Sequence, residues 1–567
     1  MLRRTNVKRG KNKGKDGKGA AVTSVETGNG TDAGPVRPGG RRRWIGTAAA
    51  LLAGGGLQLS RYYFLTRAPF LRGADAYYYA LQIRALRELG KLLIPDASLL
   101  FPLMAFTCRA GLGYEQTVNL WMVLIQLAGA LNLFLASRWM AEQNKDRPAA
   151  GGLLFLWALL SPTFLFTCIE FPKYALGLAF LPLWPVGLVN RRYWPVSVGA
   201  LLLACLTHRA CFGFAGLAAA GLLFALWRKK GRGWVVALLA DWGRKRVLLA
   251  AGGLLLLVIA FGLIIAQGSY FSWADFTRFN WEEMQPSFLT FLRREGIPLA
   301  LKAESVLAMV VAGLLLWRRG RGKDDGRPVA AGLWWPFLLF LLVFPLGSTE
   351  IMGIPERLSL ALPLVILVLL AGGGLLGDAG RCAPFSWRRT TVGWVLLVLT
   401  LTGLVSPGFS FSLAHPERLD PDYGLYEEVT MVLAGLELPM VIAHRGLNFY
   451  YKYRTLREAF HYEPEAHWPK ELVWRVAYGI TPAEWAAYLP PGCRWESGKL
   501  ITLPGPYSLV REDVWHRFRE AVRQSGDEYL QERVLALWLN PSQRRPGFLY
   551  EKHQSGADEG VFSALPR

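Results

Sequence analysis

Cysteine is scarce in this chain of 567 residues: Cys108, Cys168, Cys205, Cys211, Cys382 and Cys493 are all there is. They are widely spaced and none forms a C-x-x-C pair. That argues against a zinc site or a disulfide framework and leaves them as small buried hydrophobes. Acidic residues are few beside basic ones, 42 against 64, a formal net charge of +22. On an ordinary apolar background that charge points to nucleic acid. Here 52% of residues are apolar. They come in long blocks, such as Val247–Ala266 and Leu358–Leu376, with the basic residues between them. That is the pattern of a polytopic membrane protein, with no nucleic-acid partner. No G-x-x-x-x-G-K-[ST] spacing exists, so Gly14-Lys15 and Gly17-Lys18 do not make a phosphate loop.

Residues 1–43 hold twelve Lys or Arg, three acidic residues and no aromatics. Such a segment cannot bury a core and is expected to be a disordered, basic cytoplasmic tail. It reads as a topology anchor, with contact to anionic lipid as its functional alternative. No clear A-x-A site follows the first apolar block, so the first span is expected to stay attached.

Apolar runs predict about eleven helical spans. They lie near 44–64, 115–137, 150–168, 174–189, 194–208, 211–227, 247–266, 302–317, 328–347, 358–376 and 391–408. With the N-terminus inside, the inner segments carry about 32 Lys or Arg and the outer loops between spans about 13, as the positive-inside rule requires. The expected fold class is therefore an all-α membrane domain, 44–408, followed by a small α/β domain, 409–567, outside. The latter is polar, with 18 basic and 21 acidic residues. Glu437–His444 reads as a strand, and Val514–Gln524 and Glu528–Leu539 read as helices. No usable sequon falls outside: Asn29 lies in the tail and Asn540 precedes Pro541. With the Arg-rich composition, this points to a bacterial plasma membrane.

Span one ends in Arg61-Tyr62-Tyr63-Phe64, read as an interfacial anchor. The first outer loop, 65–114, follows. In it, Ala76–Leu89 is helical by pattern. Arg84, Arg87, Glu88 and Lys91 share one face, and Tyr78, Leu81, Ala85 and Leu89 share another, which predicts an amphipathic helix at the membrane surface. Asp75 stands before it in Arg72-Gly73-Ala74-Asp75-Ala76-Tyr77-Tyr78-Tyr79. An Asp there is a natural N-cap, and also a carboxylate fixed at a membrane surface, suited to act as a base or a metal ligand.

An uncleaved span, an outer loop with Asp followed by Tyr-Tyr, an amphipathic helix ending near Gly90 and an Ile94-Pro95…Phe101-Pro102-Leu103 stretch follow one another. That order resembles the GT-C superfamily of membrane glycosyltransferases, which includes oligosaccharyltransferase catalytic subunits, protein mannosyltransferases and lipid A aminoarabinose transferases. Further matches are Ser161-Pro162, Glu170-Phe171-Pro172-Lys173, Thr207-His208-Arg209 and Pro355-Glu356-Arg357. The resemblance covers roughly 44–410 and assigns the superfamily, not a subfamily. It implies transfer of a sugar from a polyprenyl-phosphate donor, on the outer side, to a glycan, lipid or protein acceptor, with inversion by single displacement. Asp75 matches the essential acidic residue of the family's first loop.

Independently of that resemblance, the span model puts Asp75, Glu170, Lys173, His208, Arg209, Glu356 and Arg357 at outer ends of helices. Charges at such boundaries often only anchor a helix, but seven of both signs on one side make a cleft. Glycosyl transfer needs a carboxylate to take the acceptor proton, and cations to meet the phosphate leaving group. Asp75 is accordingly the expected base. Arg357, Lys173 and Arg209 are the phosphate candidates, with Glu170, His208 and Glu356 as sugar-binding or supporting groups. A divalent cation, Mg or Mn, is an optional cofactor with Asp75 and Glu170 as its ligands. In the outer loop 267–302, Trp273, Asp275, Phe276, Arg278, Trp281, Glu282 and Glu283 suit stacking on sugar or an interfacial helix. His444–Tyr451 reads as a strand-to-helix turn. The rival readings are a lipid-linked glycan polymerase or ligase, a transporter or flippase, which would show broken helices, and a non-catalytic scaffold.

Overall fold

The computed structural model describes residues 39–73, 75–96, 98–141, 151–208, 210–211, 287–293, 297, 299–320, 359–361, 364, 423–460, 468–489, 499–527 and 530–531. The chain falls into two units, Met1–Gly46 and Thr47–Arg567. Of the first, the described part is the start of helix α1 (Gly39–Arg67). The second is mostly helical with one small sheet.

Helix α4 (Tyr114–Ala141) is, among the described residues, the one helix long and apolar enough to cross a membrane. At 1.5 Å per residue its 28 residues exceed the ~30 Å hydrocarbon thickness. It packs against α5 (Gly151–Leu160), α6 (Pro162–Glu170) and α7 (Pro172–Phe180). Beyond a 3₁₀ turn at Leu181–Leu183 come α8 (Val186–Val189), a turn at Arg191–Tyr193 and α9 (Trp194–Thr207). Two further helices are α10 (Ser287–Arg293) and α11 (Leu299–Gly320). Predicted spans 44–64, 115–137, 194–208 and 302–317 fall within α1, α4, α9 or α11 but for an end residue. Those at 211–227, 247–266, 328–347, 358–376 and 391–408 lie almost wholly outside the described residues.

The runs 150–168 and 174–189 are not single helices. The first breaks at Ser161, between α5 and α6, because Pro162 has no N–H to continue the ladder. Its freed groups are met from three other helices. Gln126 Nε2 donates to the carbonyls of Ala158 and Leu159 at 3.2 and 3.0 Å, and Arg61 Nη1 donates to Leu159 O at 2.7 Å. On the far side of the break Glu304 accepts from Ser161 Oγ at 2.8 Å and from the Thr163 N–H at 2.9 Å. A cation thus stands at the carbonyl end of α5 and a carboxylate at the N–H end of α6, each at the helix end whose dipole favours it. Arg61 is consequently no interfacial anchor: it is buried, with a 2.6 Å bond to Gln126 Oε1 as well. The second run is interrupted by the 3₁₀ turn after Phe180. The described cysteines, Cys108, Cys168, Cys205 and Cys211, are buried free thiols.

The terminal region forms an α/β unit. Its elements are α12 (Tyr423–Gly435), β1 (Met440–Ile442), α13 (Arg445–Thr455), β2 (Ala459–Phe460), β3 (Val473–Tyr478), α14 (Pro482–Tyr488), β4 (Leu500–Thr502), β5 (Tyr507–Arg511) and α15 (Glu512–Ser525). The strands run in the order β2-β1-β3-β5-β4. β1 pairs in parallel with β2 and β3, and β5 antiparallel with β3 and β4. Alternation along a strand sends neighbours to opposite faces. Val476 and Leu509 join the core shared with α2 (Ala76–Glu88), α12 and α13, while Ala477 and Val510 join Trp485, Trp515 and Phe518. His444 precedes α13, at the predicted strand-to-helix turn. Helix α15 spans the predicted 514–524; of 528–539, only 530 and 531 are described.

On the Trp515 face, Arg475 and Glu512 are both fully buried and form a bidentate pair, both bonds 2.8 Å. Arg475→Met alone is expected to destabilise the terminal domain by roughly 3–5 kcal/mol, because it strands a buried carboxylate. Arg475→Met with Glu512→Leu is expected to recover most of that loss. Thermal unfolding of the purified protein, with protease sensitivity of 423–527 as a local probe, distinguishes the two; equal losses would contradict it.

Candidate functional site

Helix α2 is the centre of the site, and its apolar face is packed against protein. Ala76, Tyr77, Tyr78, Tyr79, Ala80, Leu81, Gln82, Ile83 and Ala85 are all buried. The helix is enclosed by α3 (Leu100–Cys108), α4 and α13. The apolar side of the predicted pattern is indeed buried as far as Ala85, but Leu89 is 46% exposed. The periodicity shows which residues leave water, and the structure shows that helices of this protein cover them.

Asp75 occupies the N-cap position of α2 and is half-buried, yet its carboxylate makes no capping bond. Its carbonyl accepts the Tyr78 N–H at 3.0 Å. The loop before it is shaped by Gly73, whose φ is +103° and where a Cβ would stand 2.8 Å from the Ile169 carbonyl oxygen. Only glycine fits that close approach. It holds the Asp75 loop against the end of α6, whose last residue is the buried Glu170.

The segment after α2 is tied back by Gln82. Its Nε2 donates to Ile94 O at 2.5 Å, and its Oε1 accepts from the N–H groups of Leu93 and Ile94 at 3.1 and 3.2 Å. That places Asp96. Its carboxylate accepts the Tyr78 hydroxyl at 2.5 Å, the Ser98 N–H at 3.0 Å and the Lys173 ammonium. Burial, then the Asp96 charge, holds the Tyr78 phenol well above its ordinary pKa, so it stays a donor. Lys173 Nζ also lies 5.2 Å from the Tyr78 ring centre and 5.6 Å from that of Phe101, a half-buried cation–π setting. Ser98 Oγ donates to Thr207 O at 2.8 Å and the Leu99 N–H to Leu206 O at 3.1 Å, which fixes the end of α9. There His208 accepts the Ala210 N–H through Nδ1 at 3.1 Å, with its ring 5.2 Å from Tyr174.

The structure therefore gathers the segments carrying Asp75, Glu170, Lys173 and His208 at one end of the helices, through the close approach at Gly73 and the bonds of Asp96 and Ser98. Arg209, Glu356 and Arg357 lie outside the described residues, as do Trp273, Asp275, Phe276, Arg278, Trp281, Glu282 and Glu283. Among the described residues no three His, Cys, Asp or Glu side chains gather in a metal-ligand set. Asp96 and Glu304 were missed in the sequence. A Pro-Asp-x-Ser turn signals Asp96, since an Asp there bonds its own backbone two residues on; for Glu304, inside an apolar run, only its charge stands out.

No family model matches the sequence, and no curated protein matches it. Solved structures do. ArnT from Cupriavidus metallidurans in the apo state gives a TM-score of 0.54 at 15% identity, over 83% of this chain and 98% of that one. The same protein bound to undecaprenyl phosphate gives 0.54 at 15% identity, over 82% and 97%. An archaeal oligosaccharyltransferase, AglB from Archaeoglobus fulgidus, in complex with an inhibitory peptide and a dolichol-phosphate, gives 0.43 at 13% identity, over 74% and 64%.

Gly73→Ala is expected to cost about 1–3 kcal/mol, through its backbone conformation and the contact with Ile169. It should lower the melting temperature and speed amide exchange over residues 71–79. An unchanged melt and exchange pattern would show that the loop accommodates a side chain.

Proposed function

We propose, from the GT-C fold it shares with ArnT, that this chain is a membrane glycosyltransferase using a polyprenyl-phosphate-linked sugar. The observation that carries the reading is the convergence of the Asp75 loop, the Glu170–Lys173 turn and the end of α9 at one end of this fold. One of the similar ArnT structures holds undecaprenyl phosphate. The site belongs at the outer face of the membrane, with the N-terminus cytoplasmic and the terminal domain extracytoplasmic. That orientation rests on the charge distribution between spans.

In the proposed reaction the acceptor is a hydroxyl or amine. Its oxygen or nitrogen attacks the sugar's anomeric carbon while the bond from that carbon to the phosphate oxygen breaks. Asp75 takes the acceptor proton, and polyprenyl phosphate leaves with the bonding electrons. A single displacement of this kind inverts the anomeric centre. Half-burial in the loop before α2 suits Asp75 to this role. Lys173 meets the growing phosphate charge, assisted by Arg209 and Arg357. For Lys173 this requires the phosphate to share or displace the Asp96 carboxylate. Glu170 and His208 position sugar hydroxyls, with Glu356 beside Arg357.

One observation favours a transporter instead: the break between α5 and α6. At that break, however, the carbonyls of Ala158 and Leu159 and the N–H of Thr163 bond to Gln126, Arg61 and Glu304. They are held by protein, as in a fixed joint.

The reading is tested with a panel of polyprenyl-phosphate sugars in membranes carrying the wild type, Asp75→Asn or Lys173→Gln. The wild type should transfer one of them. Asp75→Asn should insert normally and lose about 10²–10⁴-fold in rate. Lys173→Gln should weaken binding of polyprenyl phosphate itself. Transfer at the wild-type rate by Asp75→Asn removes Asp75 from catalysis, and turnover of no donor by the wild type overturns the reading.

A further inference from the structure

We infer that the terminal domain sets the position of Asp75, and that Tyr423 is the residue through which it does so; this rests on the glycosyltransferase reading for its catalytic consequence. Tyr423 is the first residue of α12 and is 4% exposed. Its hydroxyl donates to the carbonyl of Gly73 at 2.9 Å, two residues before Asp75. Its ring meets that of Tyr77, two residues after Asp75, edge to face at 4.6 Å. One side chain of the terminal domain thus brackets the backbone of the proposed base. A Cβ at Gly73 would stand 2.8 Å from the Ile169 carbonyl oxygen, so the loop that Tyr423 bonds also lies close against α6.

The hold on Tyr423 comes from the terminal domain itself. Tyr450 stacks on its ring at 5.7 Å and Tyr426 meets it edge-on at 5.6 Å. The same domain grips α2 at further points. Tyr450 packs on Tyr77 at 4.6 Å, and Phe449 on Tyr78 at 5.1 Å. Arg84 donates to the carbonyls of Tyr453 and Arg454 at the end of α13, where the helix dipole favours a cation. Tyr453 and Tyr77 both donate to Glu115 of α4, at 3.1 and 3.4 Å. A terminal domain that moves takes α2 with it, and Asp75 lies at the end of α2 that Tyr423 controls. A base displaced by a fraction of an ångström loses its line to the acceptor proton. Binding of the donor phosphate, which rests on other residues, does not change.

The test is Tyr423→Phe in the full-length protein in nanodiscs. The ring and its packing stay; the bond to Gly73 goes. With the donor found active, kcat is expected to fall about tenfold, with KM for that donor changed less than twofold and undecaprenyl phosphate binding unchanged. Amide exchange over residues 72–76 should speed up while that over 500–511 stays as in the wild type. Wild-type kcat, or a rise in KM that accounts for the whole loss, overturns the inference. If the wild type itself turns over no donor, the glycosyltransferase reading fails separately, and exchange over 72–76 alone decides whether Tyr423 positions this loop.

Discussion

The Tyr77 ring, 1% exposed, is where three parts of the molecule meet. It sits on α2, its hydroxyl reaches Glu115 on α4, and its faces and edges are covered by Tyr423, Tyr450 and Tyr453 of the terminal domain. Burying each such ring contributes about 1.5–3 kcal/mol, and each edge-to-face pair about 0.5–1.5 kcal/mol more. Burial also drives the Tyr77, Tyr450 and Tyr453 phenols well above their ordinary pKa, with nearby carboxylates adding to it. All three therefore remain hydrogen-bond donors to Glu115 and Glu427. This cluster joins the terminal domain to the loop that carries Asp75.

A second constraint lies deeper among the helices. The Ser161-Pro162 break turns two short helices toward each other's open ends and exposes backbone groups in an apolar setting, where unmet polar groups cost several kcal/mol. Arg61, Gln126 and Glu304 answer it from α1, α4 and α11. The same break allows α6 to end at Glu170 and α7 to begin at Pro172, so that Lys173 meets Asp96. Proline at two helix starts thus governs where a cation of the site stands.

The relation between pattern and contact is clearest at Lys173 and Asp96. In the sequence Lys173 is one of several charges at outer helix ends, and a phosphate is one partner for such a charge. A carboxylate 77 positions earlier in the chain is another, and that is the one it has here. Asp75 is the converse case. Its place before α2 was legible from the sequence, and so was the alternative of a capping role, yet the absence of a capping bond is a fact of side-chain geometry. Of the seven charged residues read as outer, four fall on described segments, and those segments adjoin.

By itself the sequence determined the local features. Apolar blocks made helices such as α4, a prolyl peptide after Ser161 ended one of them, the Glu437–His444 run held strand β1, and Gly73 permitted a turn closed to other residues. These follow from interactions within a few positions, whose period and stereochemistry are written in the chain. Only the tertiary structure decided that α2 is covered on both sides, that Arg61 turns inward to a helix end, that Asp96 takes Lys173, and that Tyr423 reaches Gly73 across 350 positions. Each of these pairs a residue with a partner remote in sequence, and no local period encodes which remote partner satisfies a buried polar group.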